Sequence, residues 1–508
     1  MQDKIEISMN KKILFWVDVD SLFLFIAHVF NNNTNAQLYS IYDVPDKTKK
    51  FFENQTLVNF KKKWFFHDQI KDNNKKHDLK YLSNIEKKYG INLWKLAINE
   101  RFFYRFNRFY KFSTDEILSV LEQECKFFEK ILDEVKPECL IMLDPPAHHS
   151  KLLHDMSKSR GVTTLSMYTS RIGPTSIVHT DYMCNFEKLY DKSEGIVTDF
   201  EILQQKWNSS NYPNVVKNYI DKKVDDGGFK QIFTLNNYLL HSSSSNKETH
   251  YTYYGRTKSK VVKDTLDFKL KKQSRKKFID KNLTKVPDLN SKYIYFSLAD
   301  EEEMNILHYA PFYTNQIEAI RHVAKSIPMG YKLYVKEHPG RGIRGWRTIE
   351  DYNELLDIPN VSLIHPSVKS ETIYKNCSLV ITLRGTSGLE AAFYGIPSVV
   401  FGDISYSILP SVYKVEDLSQ LYELICLALD TKVNPLDVDK FFNLVTKNSV
   451  TFTELDYLSL LYTEFFHGGK LVDVAISEEK MKSFFKKNQE YIEIIANEFI
   501  KKVEECKE

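Results

Sequence analysis

Residues 13–17, Ile-Leu-Phe-Trp-Val, form an unbroken apolar run that stops at Asp18. A strand without polar alternation must be covered on both faces, as happens in parallel sheets flanked by helices. The pattern returns at LYSIYDV (38–44), ECLIMLD (138–144) and VTTLSMY (162–168). After residue 290 it restarts with KYIYFSL (292–298), YKLYVKEHP (331–339), VSLIH (361–365), SLVITL (378–383) and PSVVFG (397–402). Helical stretches fill the gaps. Residues 50–135 read as mostly helical, with Ser113 or Thr114 as a cap ahead of acidic residues and Pro137 as the stop. Residues 149–161 form a helix closed by Gly161, and further helices are expected at 315–326 and 388–394. Strand and helix in alternation predict an α/β fold with parallel sheets.

This alternation occurs twice, and at roughly 100–200 residues per domain a chain of 508 holds two to four. The predicted organisation is an N-terminal Rossmann-like domain over 1–190, a connection over 191–290, a second Rossmann-like domain over 291–430 and a lysine-rich helical segment over 431–508. The connection contains serines at 242–245 and a basic run, 256–285, with twelve Lys and Arg against three Asp. That run reads as a solvated helix; docking to anionic lipid is its functional alternative.

Charge narrows the function classes. Seventy basic side chains nearly cancel 67 acidic ones, giving +3, so no global field favours nucleic acid. Cys125, Cys139, Cys184, Cys377, Cys426 and Cys506 form no CxxC pair, which predicts reduced thiols in a cytosolic protein. The start, MQDKIEISMNKK, lacks the order of a secretory signal. The apolar stretch 13–30 carries Asp18, Asp20 and His28, so a buried strand and helix is expected rather than a membrane span.

Ligands bind open parallel sheets outside the carboxyl ends of the strands. At one such end, Arg384-Gly385-Thr386-Ser387-Gly388 leads into a helix carrying Glu390. Hydroxyls and glycines at a helix start offer free N–H groups to a phosphate; an N-cap with turning glycines accounts for the same residues. Lys336-Glu337-His338-Pro339 ends another strand, where His338 is either a phosphate or proton contact or a structural histidine. In the first half, Asp18, Asp20 and Asp144 follow strands and are candidates for a general base or for helix caps. Arg171 is placed to bind an anion, while His148 and His149 lack zinc-like spacing with other ligands. The stretch 101–112, RFFYRFNRFYKF, reads at helical spacing as core aromatics with Arg directed outward.

The segments YIYFSLADEEEMNILHYAPFYTNQIEAI, GYKLYVKEHPG and LVITLRGTSGLEAAFYGIPSVVFGD resemble the C-terminal domain of capsule polysaccharide biosynthesis proteins, a group that includes Kdo transferases. The resemblance covers about 290–405, with a similar layout at KPECLIMLDPPAHHSKLLHDMSKSRGV and SRIGP in the first half. It implies a GT-B-like fold, two Rossmann-like domains facing a cleft. It also implies a nucleotide-sugar donor as substrate, on the second domain, with CMP-linked ulosonic acid as one candidate and UDP- or GDP-sugars as others. His338, Thr386 and Ser387 would meet the donor phosphate and Glu390 the ribose, with Lys336, Arg384, Gly385 and Gly388 around them. Glu303 falls where relatives carry a proline-glutamate pair, but Glu302 replaces the proline. A glycan or lipid-linked acceptor would lie on the first domain near Asp144, His148 and Arg171, with Asp20 the first choice of base and Asp18 the second. No tightly bound metal or cofactor and no nucleic acid are implied. Work at the cytoplasmic face of the inner membrane beside capsule assembly proteins would follow.

Three rivals stay open. One is a nucleotide-sugar epimerase on the same fold, which needs no acceptor. Another is a phosphatase acting through Asp18, since ILFWVDVDSL echoes DxDx(T/V) with Leu22 in the last position. The third is a non-catalytic subunit of a capsule assembly complex.

Overall fold

The computed structural model describes residues 11–71, 76–180, 184–210, 239–240, 250–467 and 472–506. The serines at 242–245 and the first ten residues lie outside the described residues. Among those described, twelve strands form two six-stranded sheets. The first contains β1 (Lys12–Asp18), β2 (Gln37–Asp43), β3 (Lys62–Phe65), β4 (Cys139–Ile141), β5 (Thr163–Thr169) and β6 (Ser176–His179), in the order β3-β2-β1-β4-β5-β6. All pairs are parallel except β5 with β6.

The second contains β7 (Tyr293–Ser297), β8 (Lys332–Lys336), β9 (Val361–Ile364), β10 (Leu379–Thr382), β11 (Ser398–Val400) and β12 (Val412–Lys414). Its order is β12-β11-β10-β7-β8-β9, parallel throughout. Both sheets therefore reverse direction at one point, between β1 and β4 and between β7 and β10. This is the doubly wound α/β architecture that the apolar runs predict, and such reversals open a crevice at the strands' carboxyl ends.

Helix Leu22–Asn33 is apolar nearly all round, with eight of its twelve residues buried. A helix of that kind needs cover on two sides. One side is β1; the other is the terminal helix Glu478–Glu505, where Phe485 stacks on Phe25 at 4.7 Å and Phe499 meets Phe23 edge-on at 5.9 Å. Helix Glu454–Phe465 joins the same core through Tyr457, Leu461 and Phe465. The C-terminal segment therefore divides. Helix Pro435–Lys447 packs against the Ile172, Trp207 and Phe393 group, while the helices Glu454–Phe465 and Glu478–Glu505 complete the first domain.

Helix Thr114–Val135 starts at Ser113 with a capping box closed by Glu116, as the sequence signal indicates. The basic run forms helix Lys258–Asn282, whose Ile279 is buried. Arg275 on this helix donates to the carbonyls of Gly345 and Trp346, and Arg108 pairs with its Asp264. The stretch 101–112 is not helical as expected. Asn107 interrupts it: Nδ2 donates to the Phe102 carbonyl at 2.7 Å, while Oδ1 accepts from the amides of Phe109 and Tyr110. Such local bonds offer the backbone an alternative to the helix ladder. Phe103 and Phe112 are buried, and Arg105 crosses to the second domain. Among the described residues, no helix is long and apolar enough to cross a membrane.

Candidate functional site

The loop after β7 and the loop after β8 are locked together by charge. Buried Arg347 pairs with Glu301 and with Glu337 (3.1 Å), and Tyr352 donates to Glu337 at 2.8 Å. Arg341 reaches Asp300 at 3.2 Å, and Arg344 reaches Glu302 at 3.0 Å. Most of the acidic run 300–303 is thus spent on holding loops. Glu303 differs: burial raises its carboxyl, and the charge of nearby His338 works the other way.

His338 caps the turn Pro339–Gly342, accepting from the Gly340 amide at Nδ1 (3.1 Å). With Nδ1 as acceptor, the neutral ring carries its proton on Nε2. The structural and the functional readings of this histidine are therefore compatible. Lys336, 4% exposed, donates to Ser370 Oγ at 3.0 Å. Burial pulls its ammonium down to about 8, against the opposing charges of Glu390 and Glu337. Glu390 in turn is raised by burial, although Tyr374, Thr386, Lys336 and Arg171 all favour its charged form.

The 384–388 turn owes its glycines to neighbours within the protein. A Cβ on Gly385 would stand 2.6 Å from Thr382 Oγ1, and one on Gly388 would stand 2.6 Å from the Tyr406 hydroxyl. These contacts favour the reading in which the glycines serve the turn. Thr382 accepts from the Gly385 amide, and Tyr406 donates to the Gly385 carbonyl, so the turn is held from both sides. Arg384 is spent on the fold as well: it donates to the Asp403 carbonyl, and its guanidinium lies over the Tyr309 ring at 4.3 Å. Ser387 Oγ is buried without a hydrogen-bond partner among the described residues, which marks a polar atom awaiting one.

Across the crevice, the first sheet presents acids. Asp18 ends β1 and accepts from the Asp20 amide at 3.1 Å. Burial, then the charge of Asp43, pushes its carboxyl up to about 7. Glu454 is also pushed up to about 7, by burial and then by Asp18 and Asp144. Tyr457 donates to the Asp20 carbonyl at 2.7 Å and ties the Asp18 turn to the helix bearing Glu454.

At the crevice, two further contacts join the halves. Tyr309 donates to Asp144 Oδ1 at 2.9 Å, and Arg171 donates to the Arg384 carbonyl at 3.0 Å. Arg171 holds a left-handed backbone, φ 67°, a conformation that a bulky residue adopts only when its surroundings enforce it. His148 departs from its expected role beside the acceptor. It is fully buried; Nδ1 meets Glu100 at 2.7 Å and Nε2 meets Glu124 at 3.1 Å, so neither nitrogen is left for a ligand. Burial opposes its charge, yet the two glutamates hold it up at about 10.

The structure thus gathers Lys336, His338, Thr386, Ser387, Glu390, Glu303 and Arg171 on one side and Asp18, Asp20 and Asp144 on the other. Sequence reasoning missed Tyr309, Ser370, Tyr374 and Glu454. The strand-end rule would have reached Ser370 and Tyr374, which follow β9, but nothing local marks Tyr309 or Glu454.

Residues 221–410 match the family described as capsule polysaccharide biosynthesis protein. Among curated proteins, none matches this sequence. The UDP-GlcNAc 2-epimerase from Methanocaldococcus jannaschii aligns with 86% of this chain and 98% of its own, at 12% identity and a TM-score of 0.25. The β-Kdo 2,7 transferase KpsC from Thermosulfurimonas dismutans aligns over 72% and 89%, at 11% identity and a TM-score of 0.31. The UDP-GlcNAc 2-epimerase from Neisseria meningitidis, solved with UDP-GlcNAc, aligns over 86% and 98%, at 11% identity and a TM-score of 0.26. Likenesses at these scores carry no argument, and the fold rests on the chain's own two sheets.

Proposed function

We propose that this chain is a glycosyltransferase of capsule or surface polysaccharide assembly, moving a sugar from a nucleotide-activated donor to a glycan or lipid-linked acceptor. One observation carries the reading. A group of cationic and hydroxyl side chains at the β7/β10 reversal faces an acid group at the β1/β4 reversal, and Arg171 and Tyr309 join the two. The match over residues 221–410 supports the pathway.

In this reading the second domain holds the donor. Lys336, the Nε2–H of His338 and the Ser387 hydroxyl meet the phosphate, and Glu390 meets the ribose. Arg171 adds charge from the first domain. These groups stabilise the negative charge that grows on the nucleotide phosphate as the sugar–oxygen bond breaks, so the donor site needs no tightly bound metal. The acceptor hydroxyl gives its proton to a carboxylate of the acid group. Asp18 stands at its centre, with the Asp20 amide on its Oδ1 and Glu454 and Asp144 beside it. A CMP-linked ulosonic acid is the donor class we favour, from the His-Pro element at 338–339.

The test is thermal stabilisation by CMP, CDP, UDP and GDP without added metal. A ligand at 100 times its Kd adds about 2.7 kcal/mol, an easily read shift. We expect CMP to stabilise selectively and His338→Ala to abolish the effect with the fold intact. No shift with any nucleotide would remove the transferase reading.

A further inference from the structure

A histidine cluster beside the acid group takes no part in the proposed reaction. Asp43 ends β2, His67 lies in the turn Phe66–Gln69 after β3, and His250 opens the stretch that leads into helix Lys258–Asn282. One donor atom from each of the three lies within 4.8 Å of the other two. His67 and His250 are 6% and 5% exposed. Among the described residues, His67 Nδ1 and His250 Nε2 have no hydrogen-bond partner. A packed core leaves few such atoms, and two imidazoles, each with an orphaned nitrogen, clustered with one carboxylate form the donor set of a cation.

The surroundings are arranged to hold those donors. His67 Nε2 stands 2.8 Å from Asp43 Oδ1, and His250 Nδ1 is fixed by Thr252 Oγ1 at 2.8 Å. His149 Nε2 lies 2.9 Å from Asp43 Oδ2, its Nδ1 meets the Tyr251 hydroxyl at 3.0 Å, and Tyr251 in turn meets Glu124 at 3.1 Å. This is the outer set of hydrogen bonds that orients the ligands of metal sites. Donors around a tetrahedral zinc, with bonds of roughly 2.0–2.2 Å, stand about 3.4 Å apart. His67 Nε2 and Asp43 Oδ1, now 2.8 Å apart, would open to that spacing, and the His67 and His250 rings, stacked with centroids 3.0 Å apart, would turn to aim a nitrogen each at one point.

We propose that Asp43, His67 and His250 bind a divalent first-row transition metal, zinc above all, with His149 positioning the carboxylate. Mixed imidazole and carboxylate donors select such ions over magnesium and calcium, which take oxygen ligands. The three ligands come from β2, from the turn after β3 and from the interdomain connection. The ion would therefore fasten the start of the connecting helix to the first domain, next to Asp18, whose carboxyl feels the charge of Asp43.

The test uses the untagged full-length chain, stripped with a chelator and then given Zn²⁺ or Co²⁺. The expected result is one zinc per chain, a melting temperature raised by several degrees, and visible absorption bands with cobalt. His67→Ala and His250→Ala should each weaken zinc binding about tenfold or more. His365→Ala, in the separate pair with Asp280, should leave it unchanged. Substoichiometric zinc with no thermal shift and no cobalt bands in the wild-type chain overturns the proposal. So does unchanged zinc affinity in the two folded histidine variants.

Discussion

Tyr309, just past β7 of the second domain, donates its hydroxyl to Asp144 Oδ1 of the first at 2.9 Å. The same ring lies under the Arg384 guanidinium, so one side chain couples the strand-end loop of the first domain to the turn after β10. Tyr309→Phe keeps the ring and removes only the bond to the carboxylate. The expected cost is about 1–2 kcal/mol, read as a lower melting temperature in calorimetry. A variant that melts with the wild type would show that the contact contributes nothing to the closed arrangement.

Lys336 sets a pH dependence. Its value in the fold, about 8, lies below the ordinary 10.5, so the charged form is the costly one in the folded state. Between those two values the unfolded chain binds more protons, and this group's contribution to stability rises with pH across that window. Lys336→Met should therefore stabilise the protein at pH 7, by up to about 3 kcal/mol. The gain should shrink above pH 10, and nucleotide affinity should fall in the variant. In the wild type, nucleotide binding should weaken as pH passes about 8.

Glu454 works with the opposite sense of charge. Its folded value of about 7 lies above the ordinary 4.5, so the folded chain holds the proton more tightly. Stability from this group is greatest below pH 4.5 and declines as pH rises towards 7. Glu454→Gln should flatten that decline, so that the variant outlasts the wild type in urea at pH 8 and matches it near pH 4.5. Equal urea midpoints at pH 8 would mean that Glu454 ionises freely.

Gly388→Ala tests the turn. The added Cβ would stand 2.6 Å from the Tyr406 hydroxyl and 3.1 Å from Ser398 Oγ. Displacing Tyr406 releases the Gly385 carbonyl, so nucleotide affinity should drop about tenfold or more, a loss of at least roughly 1.4 kcal/mol. Adding Tyr406→Phe removes the oxygen that clashes and should restore part of that affinity. Titration calorimetry of both variants decides the matter.

The strands that carry the site were legible because each is short, largely apolar and mostly buried. Nine of the twelve could be read that way, from Ile13-Leu-Phe-Trp-Val17 to Ser398-Val-Val400. The three missing ones are short and lie at sheet edges: Lys62–Phe65 begins with two exposed lysines, Ser176–His179 has four residues, and Val412–Lys414 has three. Lys336, His338, Thr386, Ser387 and Glu390 follow strands directly, so the strand-end rule found them. Glu454 stands 436 positions from Asp18, and only tertiary packing brings their charges together. His148 looked like a site residue because it also follows a strand; what the sequence hides is that Glu100 and Glu124 converge on it. The segment 101–112 misled for a local reason, since one Asn side chain there replaces a turn of helix with three bonds of its own.

The packing of Glu478–Glu505 on Leu22–Asn33 has a consequence for how the molecule is made. Synthesis runs from the N-terminus, and domains generally fold as units while the chain emerges. Here the first domain's core lacks Phe484, Phe485, Ile492 and Phe499 until residues 478–505 have left the ribosome. The second domain, from Tyr293 to Lys414, has its whole sheet available earlier. The half that is translated second can finish first, with the apolar face of Leu22–Asn33 uncovered in the meantime. Truncations near residue 450 should therefore leave a folded second half beside an aggregation-prone first one, rather than two folded domains.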